Sequence, residues 1–64
     1  MGDLVIERCL PSERATEILD LFRRAEHPES AKVFERAYKP RERAGLRSWV
    51  GFVNGKAVLH ISVT

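Results

Sequence analysis

The sequence predicts an α+β domain in which a strand, two helices and a β-hairpin follow one another, with the helices packed on an antiparallel sheet. Three observations carry that prediction. Residues 48–64 read S-W-V-G-F-V-N-G-K-A-V-L-H-I-S-V-T, two β-rich runs around Asn54-Gly55. An Asn-Gly pair is the strongest short-range signal for a two-residue type I′ turn, because both central residues must take φ > 0. Between Ala15 and Ala25 the apolar residues recur at helical spacing, and Pro28 and Pro40 punctuate the segment that follows.

Taken in order, Leu4 to Leu10 alternates, with Leu4, Ile6 and Leu10 on one side and Val5, Glu7 and Cys9 on the other, a first strand. Arg8 interrupts the apolar side, as suits a strand near an edge. Cys9 reads as a small, half-buried hydrophobe, since nothing nearby supplies the base or helix end that would activate a thiol. Pro11-Ser12 then opens a helix, with Ser12 as N-cap and Glu13 favouring the helix dipole. Ala15, Ile18, Leu19, Phe22 and Ala25 form one apolar stripe for the core. Leu21 falls beside it, toward a second layer or another chain.

His27-Pro28-Glu29-Ser30 breaks the helix, and Ser30 is placed to cap a second one from Ala31 to Tyr38. Val33 or Phe34, with Ala37 and Tyr38, gives that helix its apolar face. Pro40 is expected to end it, residues 39–45 form a charged loop, and Gly45 turns the chain into the hairpin. A regular hairpin about Asn54-Gly55 would pair Val53 with Lys56, Gly51 with Val58, Trp49 with His60 and Arg47 with Ser62 on a mixed face. The other face, Phe52–Ala57, Val50–Leu59, Ser48–Ile61 and Leu46–Val63, is almost wholly apolar and is the one the helices should cover.

Composition sets the bounds. Sixty-four residues, 44% hydrophobic and 31% charged, suit one small globular domain, residues 1–64. A single cysteine makes no internal disulfide, and no Cys/His set has zinc spacing. No apolar run reaches the ~18 residues of a membrane span, and Met1-Gly2-Asp3 begins no secretory signal, so a cytoplasmic protein is expected. The net charge of +2 is unevenly spread: residues 1–30 sum to −3 and residues 31–64 to +5. The excess gathers at Arg36, Lys39, Arg41, Arg43 and Arg47, which fits a solvated connector or a surface for phosphates. Nucleic acid is the weaker expectation for a partner, because no helix-turn-helix, zinc-finger or RNP-like pattern is present.

Two residues of the hairpin are candidate site residues. Trp49 and His60, expected to face one another, make either an aromatic wall beside a titratable group or a stacked cross-strand pair. No residue set specifies a nucleophile, a catalytic acid–base pair or a metal site.

The order of elements, together with S-W-V-G-F-V-N-G-K-A-V-L-H-I-S-V, resembles the N-terminal half of the GNAT superfamily of N-acetyltransferases. Phe34, Tyr38 and Pro40 resemble the family's second-helix segment, although Arg36 and Ala37 stand where a tryptophan is often found. The resemblance implies acetyl transfer from acetyl-CoA to an amine, and it places Phe34 and Tyr38 on the acceptor-substrate side. In that family a strand and a Q/R-x-x-G-x-G/A loop beyond the matching region bind acetyl-CoA, through backbone donors at a helix N-terminus. Gly2, Gly45, Gly51 and Gly55 form no such loop, so no acetyl-CoA site and no activity are expected of residues 1–64 alone. The chain is then either part of a longer enzyme or a short protein completed by another chain. In both cases the edge strand 56–64 is expected to pair with a further strand, by self-association or with a complementing chain. A basic nucleic-acid-binding module and a dimerisation module are the alternatives from other classes.

Overall fold

The computed structural model describes residues 2–63. Strand β1 (Val5–Cys9) leads through a 3₁₀ turn (Pro11–Arg14) into helix α1 (Ala15–Arg24), helix α2 (Pro28–Arg43), strand β2 (Arg47–Val53) and strand β3 (Lys56–Val63). The sheet is antiparallel throughout, in the order β1-β2-β3. The fold is therefore α+β, two helices on a three-stranded antiparallel sheet. No helix of the described residues is long and apolar enough to cross a membrane.

The entry to α1 differs from the sequence expectation. Ser12 is not its N-cap. Instead Leu10 N–H donates to Glu13 Oε1 (2.8 Å), Glu13 N–H donates to Leu10 O (2.9 Å), and Ser12 N–H donates to Glu42 Oε1 (2.8 Å) on α2. A long-range carboxylate thus takes the orphan donor that a local cap would have satisfied. Helix α2 is also longer than expected. It starts at Pro28, where the fixed φ of proline suits the first helical position, and Ser30 lies inside it rather than capping it. It runs through Pro40 to Arg43. Pro40 is exposed, so water can serve the carbonyl that its missing N–H leaves free, and the Glu42–Ser12 bond holds the turn beyond it.

Both helices end the same way. His27 N–H donates to Phe22 O (2.8 Å) and Leu46 N–H to Arg41 O (2.9 Å), each closing over a residue of positive φ: Glu26 (59°) and Gly45 (106°). These are left-handed C-terminal caps, natural for Gly45 and strained for Glu26.

The Asn54-Gly55 turn forms as predicted, with φ of 52° and 77°. Val53–Lys56 and Phe52–Ala57 pair as expected. Beyond them the register slips: a bulge opposite Gly51/Phe52 leaves Val58 unpaired, and Gly51 faces Leu59, Val50 faces His60, Trp49 faces Ile61, Ser48 faces Ser62 and Arg47 faces Val63. Because side chains alternate, one extra residue sends every later side chain to the other face. Leu59, Ile61 and Val63 therefore leave the helix-covered face, and His60 and Ser62 join it. Trp49 and His60 are not partners. Gly51 fits this register: a Cβ there would lie 2.6 Å from Leu59 Cγ.

On strand β1, Cys9, Glu7 and Val5 align with Ser48, Val50 and Phe52 on the helix side of the sheet, with Cys9 buried and Val5 exposed at the strand's start, while Ile6 is turned outward. The core is Cys9, Ile18, Val50 and Ala57, with Leu21, Phe22, Phe34 and Phe52 packed against it. Leu21 thus belongs to this core.

Candidate functional site

A groove runs between α2 and the helix-side face of β3. Its apolar floor is Phe22 from α1 with Val33 and Phe34 from α2; Glu29 and Ser30 stand at one end, and Arg41, His60 and Ser62 complete it, enclosing about 420 Å³. That volume is within the range of small-molecule sites. Glu29 and Arg41 are twelve residues apart on one helix, so the groove carries opposite charges at ends separated by about 18 Å.

His60 is the centre of the groove because the bulge puts it there. Its ring meets Phe22 (centroids 6.0 Å apart, 86°) and Phe34 (5.7 Å, 83°) edge to face, and Phe34 in turn stacks on Tyr38 (5.0 Å, 11°). These geometries suit the aromatic quadrupoles. Ser48, fully buried on β2, lies 3.0 Å through Oγ from His60 Nε2, and Ser62 Oγ lies 3.5 Å from the same nitrogen. Burial lowers the His60 pKa below the usual histidine value, since the aromatic surround solvates an imidazolium poorly. The imidazole is therefore neutral at pH 7. With Nε2 engaged by the serines, Nδ1 makes no hydrogen bond among the described residues.

Neutral His60 can take up a proton from a ligand group, or hold it in place by hydrogen bonding. Ser48 has no access to a substrate and acts as the positioning partner of the ring. Cys9, the one thiol, is buried, and burial followed by the charge of Glu7 pushes its pKa up, so it stays a protonated core side chain. No group of His, Cys, Asp and Glu among the described residues could hold a metal ion.

Of the four residues singled out from the sequence, the structure brings Phe34, Tyr38 and His60 together and leaves Trp49 apart, 37% exposed on the open face of the sheet. Ser48 meets His60 only through the bulge, since a regular hairpin puts it on the other face, whereas Ser62 shares the face of His60 in either register. Arg41 and Arg47 separate from the rest of the basic segment: Arg41 lines the groove, and Arg47 donates to Leu46 O (2.9 Å) and Glu42 O (3.3 Å) at the end of α2.

No family model, curated protein or solved structure matches the chain.

Proposed function

We propose that this chain provides the acceptor-binding side of a GNAT-like N-acetyltransferase, the part that holds the amine to which an acetyl group passes from acetyl-CoA. The observation that supports the reading is the groove with neutral His60 between Phe22 and Phe34, with Tyr38 stacked on Phe34, in a fold whose elements follow the family's opening order. A neutral imidazole can accept the proton that an ammonium must lose before its nitrogen attacks an acyl carbon. The aromatic floor would carry the acceptor's apolar part, and Glu29 is suited to an incoming cation.

The described residues do not fit acetyl-CoA itself. Gly45 and Gly55 serve turns, Gly51 is closed over by Leu59, and α2 begins with Pro28-Glu29, a missing donor and a carboxylate where a pyrophosphate would need N–H groups. The reading therefore gives this chain acceptor binding and leaves acetyl-CoA to a complementing strand and loop, so that residues 1–64 alone are inactive.

Intact-mass measurement against the encoding DNA tests the reading. A frame running on into a glycine-rich loop supports it. A stop codon directly after Thr64, together with calorimetric binding of acetyl-CoA by the 64 residues alone, would falsify it. In the complete protein, His60→Gln is expected to lower kcat/KM about 100-fold or more, the usual scale for loss of a positioned base. Wild-type activity should follow a deprotonation below the usual histidine range, and this limb should vanish in the variant. Persistence of that limb in His60→Gln would remove His60 from the mechanism.

A further inference from the structure

The outer face of α2 carries Lys32, Arg36, Lys39 and Arg43 at spacings of i, i+4, i+7 and i+11, all exposed. At 3.6 residues per turn the four lie within about 60° of arc and span about 16 Å along the helix. The buried side of the helix, Ala31 with Phe34 and Tyr38, lies about 140° round the helix from the stripe, so the cations point away from the core. None of them takes part in an ion pair among the described residues. The ion pairs present are Arg14 with Glu7 and Glu17, and Arg24 with Asp20, all on β1, the 3₁₀ turn and α1. The one acid of α2 near its C-terminal end that could oppose the stripe, Glu42, is turned to Ser12 N–H, and its pKa is lowered by that bond. Glu29 and Glu35 flank the stripe without pairing with it among the described residues.

We propose that this stripe is a docking surface for the phosphate backbone of a double-stranded nucleic acid, read without regard to base sequence. A duplex presents one negative charge per ~1.7 Å of axis, so a 16 Å stripe faces on the order of ten phosphates, enough to engage every cation. A helix face holds its charges in line without further ordering, which a charged loop could not do. An anionic membrane is the poorer fit. Interfacial helices insert an apolar face bounded by cations, whereas the apolar face of α2 is spent on the protein core and Val33 alone stands exposed beside the stripe. This inference is independent of the acetyl-transfer reading, since none of the four cations lines the groove.

Fluorescence anisotropy with a labelled DNA duplex of mixed sequence tests it on the 64-residue chain. Four neutralised phosphates predict a slope of about −3.6 in log K against log salt, a loss of about 150-fold between 50 and 200 mM. Arg36→Gln with Lys39→Gln should halve the slope, leaving a loss of about 12-fold over the same range. These side chains are exposed, so circular dichroism should show an unchanged fold. Arg8→Gln with Lys56→Gln, on the sheet, should leave the slope as it was. The proposal is overturned by no binding at low salt, by a slope that the sheet variant lowers and the helix variant does not, or by binding to phosphatidylserine vesicles without binding to the duplex.

Discussion

Ser48 and His60 show how much a single pair can settle. Ser48 is a fully buried hydroxyl, and the His60 ring is its hydrogen-bond partner at 3.0 Å. Ser48→Ala would leave that bond unmade inside the groove, and a buried polar group without its partner costs about 1–3 kcal/mol. Chemical denaturation should show a loss of that size. A loss below about 0.5 kcal/mol would mean that water replaces the hydroxyl. The pH dependence follows from the same pair. The pKa of His60 is lowered in the folded chain, so between its folded and unfolded values the unfolded state binds more protons, and stability rises with pH. The contribution is complete above the ordinary histidine value of about 6.5 and is lost as pH falls through the lower folded value. Thermal melts from pH 7.5 down should show the midpoint falling in that window. His60→Gln should flatten it there while keeping the fall at more acid pH, where Glu42, whose folded pKa is also lowered, becomes protonated. An unflattened profile in the variant would put the titrating group elsewhere.

At the scale of the element, the helix ends and the bulge decide the architecture. Glu26 holds a left-handed φ of 59° at the same cap position that Gly45 fills for α2. A side chain there costs roughly 1–2 kcal/mol in backbone strain, partly offset by the greater unfolded-state freedom of glycine. Glu26→Gly is therefore expected to stabilise the chain by about 0.5–1 kcal/mol, a rise of several degrees in the melting midpoint for a domain of this size. A fall in the midpoint would show that the Glu26 side chain contributes more than its strain. The sequence is legible where local chemistry acts alone: the Asn54-Gly55 turn, Ile18 and Phe22 on the apolar stripe of α1, and Gly45 at the turn into the hairpin. It was illegible where distant groups intervene. The carboxylate of Glu42 displaces Ser12 from its capping role and helps to carry α2 past Pro40. No run of residues announces the bulge, because it rests on the fit of Leu59 over Gly51, which is known only once the strands are paired. Phe34 and Tyr38 are singled out by the family resemblance, and Phe34 lines the groove with Tyr38 stacked on it, but His60 reaches the groove through the slip, and Trp49 stays on the other side.

For the whole molecule, the slip adds Ile61 and Val63 to the apolar surface of the sheet face that no helix covers. Ile6, Trp49, Ile61 and Val63 lie outward on the face of the sheet that no helix covers, at 55%, 37%, 57% and 46% exposure. A chain of this size buries only about 60% of its unfolded surface, and its fully buried core is small, so an uncovered sheet face weighs heavily on its stability. β3 also stands at one edge of the sheet, its outer N–H and C=O groups unpaired by any strand among the described residues. Eight residues long and with one charged side chain, Lys56, it lacks the charges and prolines that ordinarily protect an edge. Both features favour a further strand on β3, and in the chain by itself the nearest source is a second copy pairing edge to edge. Sedimentation velocity over a concentration series should show reversible association. Ile61→Lys with Val63→Lys, which place charge on the exposed side of that edge without touching the groove, should return the chain to monomer with its circular dichroism unchanged. A wild-type chain that remains monomeric at the highest concentration refutes the edge pairing. Association that survives both lysines moves the contact to β1, the other edge, where Ile6→Lys becomes the deciding variant.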